Sequence, residues 1–273
     1  MIEFLKSLFL GIVEGITEWL PISSTGHMIL VNELIGNTGF TSSDLYIYVI
    51  QLGAILAVVT MYFRTLNPFA LSKSPAEKRD TWQMWFKVVI ACVPAAVIGL
   101  LFDDYMEKIE NWQVVSLMLL VYGIAFIAVE NMKKKPKVNS LSGLTYKTAL
   151  LIGAFQVLSI IPGTSRSGAT ILGAIILGLS RELAAQFSFF LAIPVMFGVS
   201  FLKITKVVLS GELISITDLA VLLVGMLVAY AVSLASMKFL VGYVKKHDFK
   251  PFGIYRILLA IVVAAFFIVK AVI

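Results

Sequence analysis

Two carboxylates lie four residues apart in an apolar stretch near the start of the chain. Glu14 and Glu18 have the spacing that puts both side chains on one face of a helix. A charged side chain at the bilayer centre costs about 2.5 to 3.5 kcal/mol on insertion scales, and neighbouring carboxylates repel each other. The pair predicts either an acid–base pair or a divalent-cation site, whose oxygen ligands suit Mg²⁺ or Ca²⁺. The alternative is that Glu18 lies at the water interface beside Trp19.

A cluster of hydroxyl side chains follows Pro21 and leads into the next predicted helix. It consists of Ser23, Ser24 and Thr25, and His27 lies about one turn into that helix. A helix N-terminus has free N–H donors and a partial positive charge, which together bind phosphate. Ser and Thr are also ordinary N-caps, so at least one of these hydroxyls is expected to be structural. We interpret His27 as functional because it lies close to the two carboxylates in the sequence.

The most specific string in the chain, PGTSRSGAT, occupies residues 162–170. Arg166 lies at its centre, in an apolar segment where an arginine needs an anionic partner. That partner is either Glu14 or Glu18 in an internal salt bridge, or phosphate, which a guanidinium binds through two parallel hydrogen bonds. The glycines allow the backbone to approach a ligand closely. The remaining residues that we expect to bind the ligand are Gly163, Thr164, Ser165, Ser167, Thr170 and, in a separate apolar run, Gln51.

The elements that must hold these residues have the composition of membrane spans. The 273 residues are 59% hydrophobic and only 14% charged, whereas about a quarter of a soluble domain is charged. The net charge of +6 comes from basic residues in short loops beside apolar runs. Such loops set orientation in a membrane and require no nucleic-acid partner. We therefore expect an all-α integral membrane protein.

Six apolar runs approach the length of about 20 residues that a transmembrane helix needs. They are residues 45–63, 85–102, 114–130, 184–204, 219–239 and 251–269. Two further stretches, 4–35 and 146–179, are apolar but interrupted by Pro, Gly and hydroxyl residues. Each predicts two helices that are too short to span singly. Broken helices of this kind suit re-entrant hairpins, whose irregular backbone must be buried in protein or line a cavity.

Charged loops predict how the spans are oriented. Residues 64–87, 133–147 and 238–250 form basic loops, whereas residues 103–110 are acidic. Because basic loops stay in the cytoplasm, the first three are predicted to lie inside and the acidic one outside. The spans alternate consistently with that arrangement, and both termini then lie outside.

The two interrupted stretches resemble each other. Each has a glycine, then Glu14 or Gln156, then apolar residues, a proline, a hydroxyl cluster and a glycine. Three spans separate the copies, so the second copy enters from the opposite face, as in inverted repeats whose site lies near the bilayer midplane. We expect one membrane domain, residues 1–273, with pseudo-repeat halves 1–135 and 145–273 joined by a basic cytoplasmic loop.

At these motifs the chain resembles the undecaprenyl-diphosphatase family, bacterial membrane phosphatases that are also linked to bacitracin resistance. The resemblance rests on EGITE at 14–18, PISSTGH at 21–27 and PGTSRSGAT at 162–170, and it extends to VIQLG at 49–53 and PFGIYR at 251–256. It implies hydrolysis of undecaprenyl pyrophosphate to undecaprenyl phosphate and inorganic phosphate, which recycles the carrier lipid for cell-wall (peptidoglycan) synthesis. It also implies paired re-entrant helices in the bacterial inner membrane and a cavity open to the outside.

The resemblance implies that Glu14 and Glu18 form the acidic motif, which we expect to hold the cation, and that Arg166 clamps the diphosphate. Our hypothesis makes Ser24 the nucleophile and His27 its proton acceptor, since they are one helical turn apart. The alternative is attack by a metal-bound water, with Ser24 only binding phosphate. A flippase or anion transporter would use the same arginine and hydroxyls but would not need the carboxylates. The expected partners are a polyprenyl pyrophosphate lipid and the bilayer; a homodimer is left open.

Overall fold

The computed structural model describes residues 1–36, 39–109, 111–210 and 214–272, and these residues fold into α-helices joined by short loops. The helices are α1 (Ile2–Thr17), α2 (Ser24–Ile35), α3 (Asp44–Met61), α4 (Phe63–Leu66), α5 (Pro75–Lys108), α6 (Trp112–Asn131), α7 (Tyr146–Val157), α8 (Arg166–Ile176), α9 (Arg181–Leu209), α10 (Ile216–Val244) and α11 (Lys250–Val272). β-Pairing in this part of the chain is limited to one isolated bridge between Val138 and Leu179. The prediction of an all-α protein is confirmed.

Five helices of the described ranges are long and apolar enough to cross a membrane: the Pro75–Gly99 part of α5, and α6, α9, α10 and α11. The apolar part of α3, Leu45–Met61, is shorter. The chain is thus a multi-pass membrane protein. The acidic side chains predicted to lie outside fall at 103–107 and 110, which are outside the described side chains.

The predicted loop at 64–87 is wrong over its second half, because α5 begins at Pro75. The start of α5 is fixed by reciprocal hydrogen bonds, in which Ser74 N donates to Glu77 Oε2 at 2.8 Å and Glu77 N donates to Ser74 Oγ at 3.3 Å. This is a capping box followed by a proline at the first helical position. The predicted loop at 238–250 is likewise shorter, since α10 continues to Val244. The charged residues at these helix ends are therefore helical.

Both interrupted stretches are broken helix pairs, as predicted. The chain leaves α1 before residue 18 and resumes as α2 at Ser24, and it leaves α7 at Val157 and resumes as α8 at Arg166. The residues before α2 and α8, Ser23 and Ser165, have φ of 74° and 72°. Residues other than glycine rarely adopt this left-handed region, and it marks strained, functional backbone. Each serine side chain also caps its helix by accepting from a glycine N–H, that of Gly26 or Gly168.

The position of each broken helix pair is fixed by close packing of its first helix against a long helix. The first helix of each pair lies against a long helix, α1 against α10 and α7 against α5, while α3 packs on α9 and α6 packs on α11. A Cβ added to Gly153 of α7 would lie 2.1 Å from the carbonyl oxygen of Ala91 in α5, and one added to Gly11 of α1 would lie 2.7 Å from that of Gly225 in α10. Small residues allow this approach, which stabilises helix pairs in membranes.

We expect Gly153→Val to lower the thermal midpoint of the purified protein in detergent by about 5 °C or more, because the added side chain has no space between α7 and α5. Melting followed by intrinsic fluorescence measures this shift. Gly198→Val in α9 is the matched control, since nothing lies within 4 Å of a Cβ at that position. Equal shifts in the two variants would contradict the close packing of α7.

Candidate active site

A buried ion pair joins the end of α1 to the start of α8. Arg166 Nη2 and Nε lie 2.9 Å and 3.3 Å from Glu18 Oε1, and the two side chains are only 11% and 9% exposed. Arg166 Nη1 also donates to the backbone oxygen of Ser188 in α9 at 2.9 Å. Of the partners that the sequence left open for Arg166, the structure places Glu18 on the guanidinium. Each broken helix pair therefore contributes one member of this ion pair.

The second oxygen of Glu18 binds the hydroxyl of Ser24. Ser24 Oγ donates to Glu18 Oε2 at 3.0 Å, so one carboxylate is shared by Ser24, the first residue of α2, and Arg166, the first residue of α8. The N-termini of both helices thus meet at Glu18, and their free amides and dipoles favour an anion there. A carboxylate within hydrogen-bond reach of a serine hydroxyl is also placed to accept its proton.

Both ring nitrogens of His27 have hydrogen-bond partners other than the Ser24 hydroxyl. Its Nδ1 lies 2.7 Å from the carbonyl oxygen of Ser23. Since a carbonyl can only accept, Nδ1 carries the hydrogen and Nε2 of the neutral ring accepts from the Tyr255 hydroxyl at 2.7 Å. The two rings are stacked, with centroids 5.6 Å apart. The structure therefore does not bring His27 to Ser24, and Glu18 occupies the position that the sequence hypothesis gave to His27.

Glu14 lies one turn before Glu18 on α1 and is only 1% exposed. Its Oε1 is buried without a hydrogen-bond partner within the described structure. An unpaired buried carboxylate oxygen is costly unless a proton or a cation joins it. No cluster of three or more His, Cys, Asp or Glu ligands occurs in the ranges described. Two carboxylates suit Mg²⁺, which keeps waters and takes substrate phosphate oxygens as further ligands.

Most of the other predicted ligand-binding hydroxyls have partners in the protein. Ser167 Oγ donates to the backbone oxygen of Glu18 at 3.0 Å, and Thr170 Oγ1 lies 2.6 Å from Ser188 Oγ. Both side chains are buried; Ser167 links the start of α8 to the end of α1, and Thr170 links α8 to α9. Thr164 is also buried, and its Oγ1 has no partner in the part of the chain described.

The remaining residues that were predicted to bind the ligand lie in different environments. Ser165 Oγ lies 3.2 Å from Ser167 Oγ, and Thr25 is half-buried in the first turn of α2. Gly163 has a φ of 88° and no space for a Cβ, which would lie 2.7 Å from the backbone of Val115. Gln51 is half-buried on α3 and makes no hydrogen bond to the site within the described residues.

Arg256 of α11 is the site residue that the sequence analysis missed. It is fully buried, and its Nη2 donates to the backbone oxygens of Gly163 at 3.0 Å and Thr164 at 2.9 Å. Its Nη1 donates to the backbone oxygen of Pro21 at 3.3 Å. One guanidinium therefore ties the loop before α2 to the loop before α8. Arg256 lies inside an apolar run of the sequence, and this feature could have identified it as a site residue, as the same feature identified Arg166.

Comparison with known proteins shows a close likeness over nearly the whole chain. A family model described as "Bacitracin resistance protein BacA" matches residues 7–262. The undecaprenyl-diphosphatase of Enterococcus faecalis is 54% identical, with 96% of this chain and 97% of that protein covered. The one from Streptococcus thermophilus is 56% identical, with 99% and 95% covered. The one from Desulfitobacterium hafniense is 53% identical, with 100% and 99% covered.

Proposed function

This chain belongs to the bacitracin resistance protein BacA family, and we infer from its relatives that it is an undecaprenyl-diphosphatase. It hydrolyses undecaprenyl pyrophosphate to undecaprenyl phosphate and inorganic phosphate, a reaction that returns the carrier lipid to cell-wall synthesis. The observation that connects this function with particular residues is the carboxylate of Glu18, which accepts hydrogen bonds from both Ser24 and Arg166.

Binding of the diphosphate is assigned to the start of each second helix. Hydrolysis of a pyrophosphate requires that its charge be neutralised while the nucleophile is held in line with the bond that breaks. Arg166 has the planar fork that binds phosphate oxygens in pairs. The first-turn amides of α2 and α8 supply further donors near Glu18. Arg166 would exchange part of its contact with Glu18 for the diphosphate.

Ser24 is the proposed nucleophile, and Glu18 takes its proton. Attack by Ser24 Oγ on the terminal phosphorus forms one P–O bond and breaks the bridging P–O bond, and Glu18 passes the serine proton to the undecaprenyl phosphate that leaves. A water molecule then attacks the phosphorus of the phosphoserine and gives its proton to Glu18. Glu18 returns a proton to Ser24 Oγ as the bond from Oγ to phosphorus breaks, which releases inorganic phosphate and free Ser24. The hydrogen bond from Ser24 to Glu18 supports this assignment. Direct attack by water, with Ser24 only binding phosphate, is the alternative.

Glu14 and Glu18 are proposed to hold the divalent cation, Mg²⁺ or Ca²⁺. When bound, such an ion neutralises diphosphate charge. The unpaired, buried Oε1 of Glu14 supports this proposal. Glu18 would also keep Arg166 oriented, since its two oxygens bind different partners.

We further propose six transmembrane helices, with α3 added to the five long ones, and two re-entrant pairs, α1–α2 and α7–α8. Residues 1–135 and 145–273 would be inverted repeats in the bacterial inner membrane, with the site open to the outside. The matching packing of α1 on α10 and α7 on α5 supports the repeat. So do the positive φ angles of Ser23 and Ser165 at equivalent positions. The basic loops support the orientation.

Phosphate release from a polyprenyl pyrophosphate by purified protein in detergent tests the function. We expect release with Mg²⁺ or Ca²⁺ and none with a chelator. Glu14→Gln should lower the rate by about 10- to 100-fold at fixed metal and should shift the metal requirement upward. Glu33→Gln is the matched control, because Glu33 pairs with Lys270 outside the site. Intact lipid binding without release under any metal would contradict the phosphatase and favour a transporter.

Ser24→Ala separates covalent from direct attack. If Ser24 is the nucleophile, the variant should lose roughly 10³-fold or more in kcat. The wild type, quenched during turnover, should carry a phosphoryl group that mass spectrometry of its peptides locates on Ser24. Thr25→Ala removes a neighbouring hydroxyl and serves as the control. A loss of less than about tenfold in Ser24→Ala, with no phosphoserine, would instead indicate attack by water.

A further inference from the structure

A cavity of about 330 Å³ lies at the end of α8 that is remote from the candidate active site. Because α8 rises about 1.5 Å per residue from Arg166 to Ile176, roughly 15 Å of helix separates the two places. The cavity is bounded by the end of α6 and the loop after it, the turn between α8 and α9, the start of α9, and the end of α10. It therefore shares no residue with the site around Glu18.

Cationic side chains from three separate segments line this cavity. They are Lys133, Lys134, Lys135, Arg181 and Lys245. Two lining carboxylates are already paired: Glu130 with Arg181 at 2.5 Å and Glu182 with Lys245 at 3.1 Å. The three consecutive lysines make no ion pair within the described ranges. The cavity thus carries three positive charges that no carboxylate among the described side chains balances.

The shape of the cavity matters as much as its charge. Basic residues on this face are expected from their part in orienting a membrane protein, but that rule does not require them to surround a concave space. Apolar side chains also line this cavity: Val129, Leu179 and Val244 are each less than one-tenth exposed, whereas the three lysines are exposed. A cavity lined by cationic groups and by buried apolar side chains suits a ligand in which a phosphate group is attached to an apolar part.

We propose that this cavity is a second anion site that binds a phosphate group, through Lys133, Lys134 and Lys135. The phosphate can belong to the headgroup of an anionic phospholipid in the adjacent leaflet or to free inorganic phosphate. Both sources present the same oxyanion to the lysines, and the ammonium groups bind it as point charges. Each Lys beside an anionic lipid surface contributes roughly a fivefold gain in affinity.

Titration of phosphatidylglycerol into the detergent-solubilised protein, followed by native mass spectrometry, tests the proposal. The variant Lys133→Gln, Lys134→Gln, Lys135→Gln should raise the apparent Kd by about tenfold or more. The control variant Lys78→Gln, Arg79→Gln, Lys147→Gln removes three charges from other basic segments and should bind like the wild type. Zwitterionic phosphatidylcholine should bind all three proteins equally and weakly. Phosphatase activity of both variants should stay at the wild-type rate, which shows that they are folded.

Adding inorganic phosphate to the titration distinguishes the two sources. Displacement of phosphatidylglycerol by millimolar phosphate in the wild type supports a site for free phosphate, whereas no displacement supports a site for the lipid headgroup. Equal weakening in the two triple variants would overturn the proposal, because it would indicate diffuse attraction to the whole basic face. Unchanged binding after loss of Lys133 to Lys135 would overturn it as well.

Discussion

Arg166→Ala is expected to lower kcat/KM for a polyprenyl pyrophosphate by roughly 10³-fold or more, the scale on which an arginine at a transferring phosphoryl group acts. Two effects combine in this variant. The diphosphate loses its paired hydrogen-bond donor, and Glu18 is left buried without its cationic partner. Arg166→Lys should be intermediate, because it keeps the charge but loses the planar fork. Rates of phosphate release at several substrate concentrations measure the change.

A double variant separates the chemistry of Arg166 from its structural role. Breaking a buried ion pair at one end is strongly destabilising, whereas removing both charges is often tolerated. We therefore expect Glu18→Gln combined with Arg166→Met to regain most of the thermal midpoint lost in Arg166→Ala, while its activity stays at least as low as that of Arg166→Ala. Recovery of activity together with stability would contradict a catalytic role for the guanidinium.

Arg256→Met is expected to lower kcat by about 100-fold or more, with a smaller change in KM. The backbone oxygens of Pro21, Gly163 and Thr164 lose their donor in an apolar interior. Each unsatisfied carbonyl costs about 1 to 3 kcal/mol, and the two loops lose the side chain that ties them together. Initial rates and melting of the purified variant measure both consequences.

Arg256→Lys is the control that distinguishes positioning from stability. One ammonium carries three donors and can satisfy part of the carbonyl set, so this variant should recover most of the thermal midpoint. Because it cannot bridge both loops with a planar fork, kcat should remain low. A variant Arg256→Met that melts early yet retains the wild-type kcat would show that Arg256 stabilises the protein without positioning the loops.

Local sequence patterns predicted the elements of the site well. Helix breaks at hydroxyl clusters are local features, and both broken pairs lie where the sequence placed them. Arg166 required an anion on grounds of burial alone, and Glu18 was one of the two carboxylates named for it. The start of α5 was also encoded locally, by Ser74 and Glu77, but the charged residues that follow were read as a loop.

Contacts between distant segments were not predictable from local pattern. His27 and Ser24 are one turn apart, which suggested a proton relay, yet Nε2 of His27 is hydrogen-bonded to Tyr255 of α11, 228 residues further along the chain. The hydrogen bonds of Arg256 go to backbone carbonyl oxygens that lie 92 to 235 residues away in the sequence. Every residue has a backbone carbonyl, so the sequence does not indicate which carbonyls accept a hydrogen bond. The partners of Arg256 were therefore not recognisable in the sequence.

The ion pair of Glu18 and Arg166 also bears on the electrical insulation of the cell. In the proposed arrangement each broken pair crosses only part of the bilayer, so the loops between them form a thin barrier to ions. A lone charge there would favour the passage of protons or metal ions across this barrier. The membrane potential that drives them is worth about 2.3 kcal/mol per charge at 100 mV. Because Glu18 and Arg166 neutralise each other in the absence of lipid, neither of them is a lone charge in that barrier.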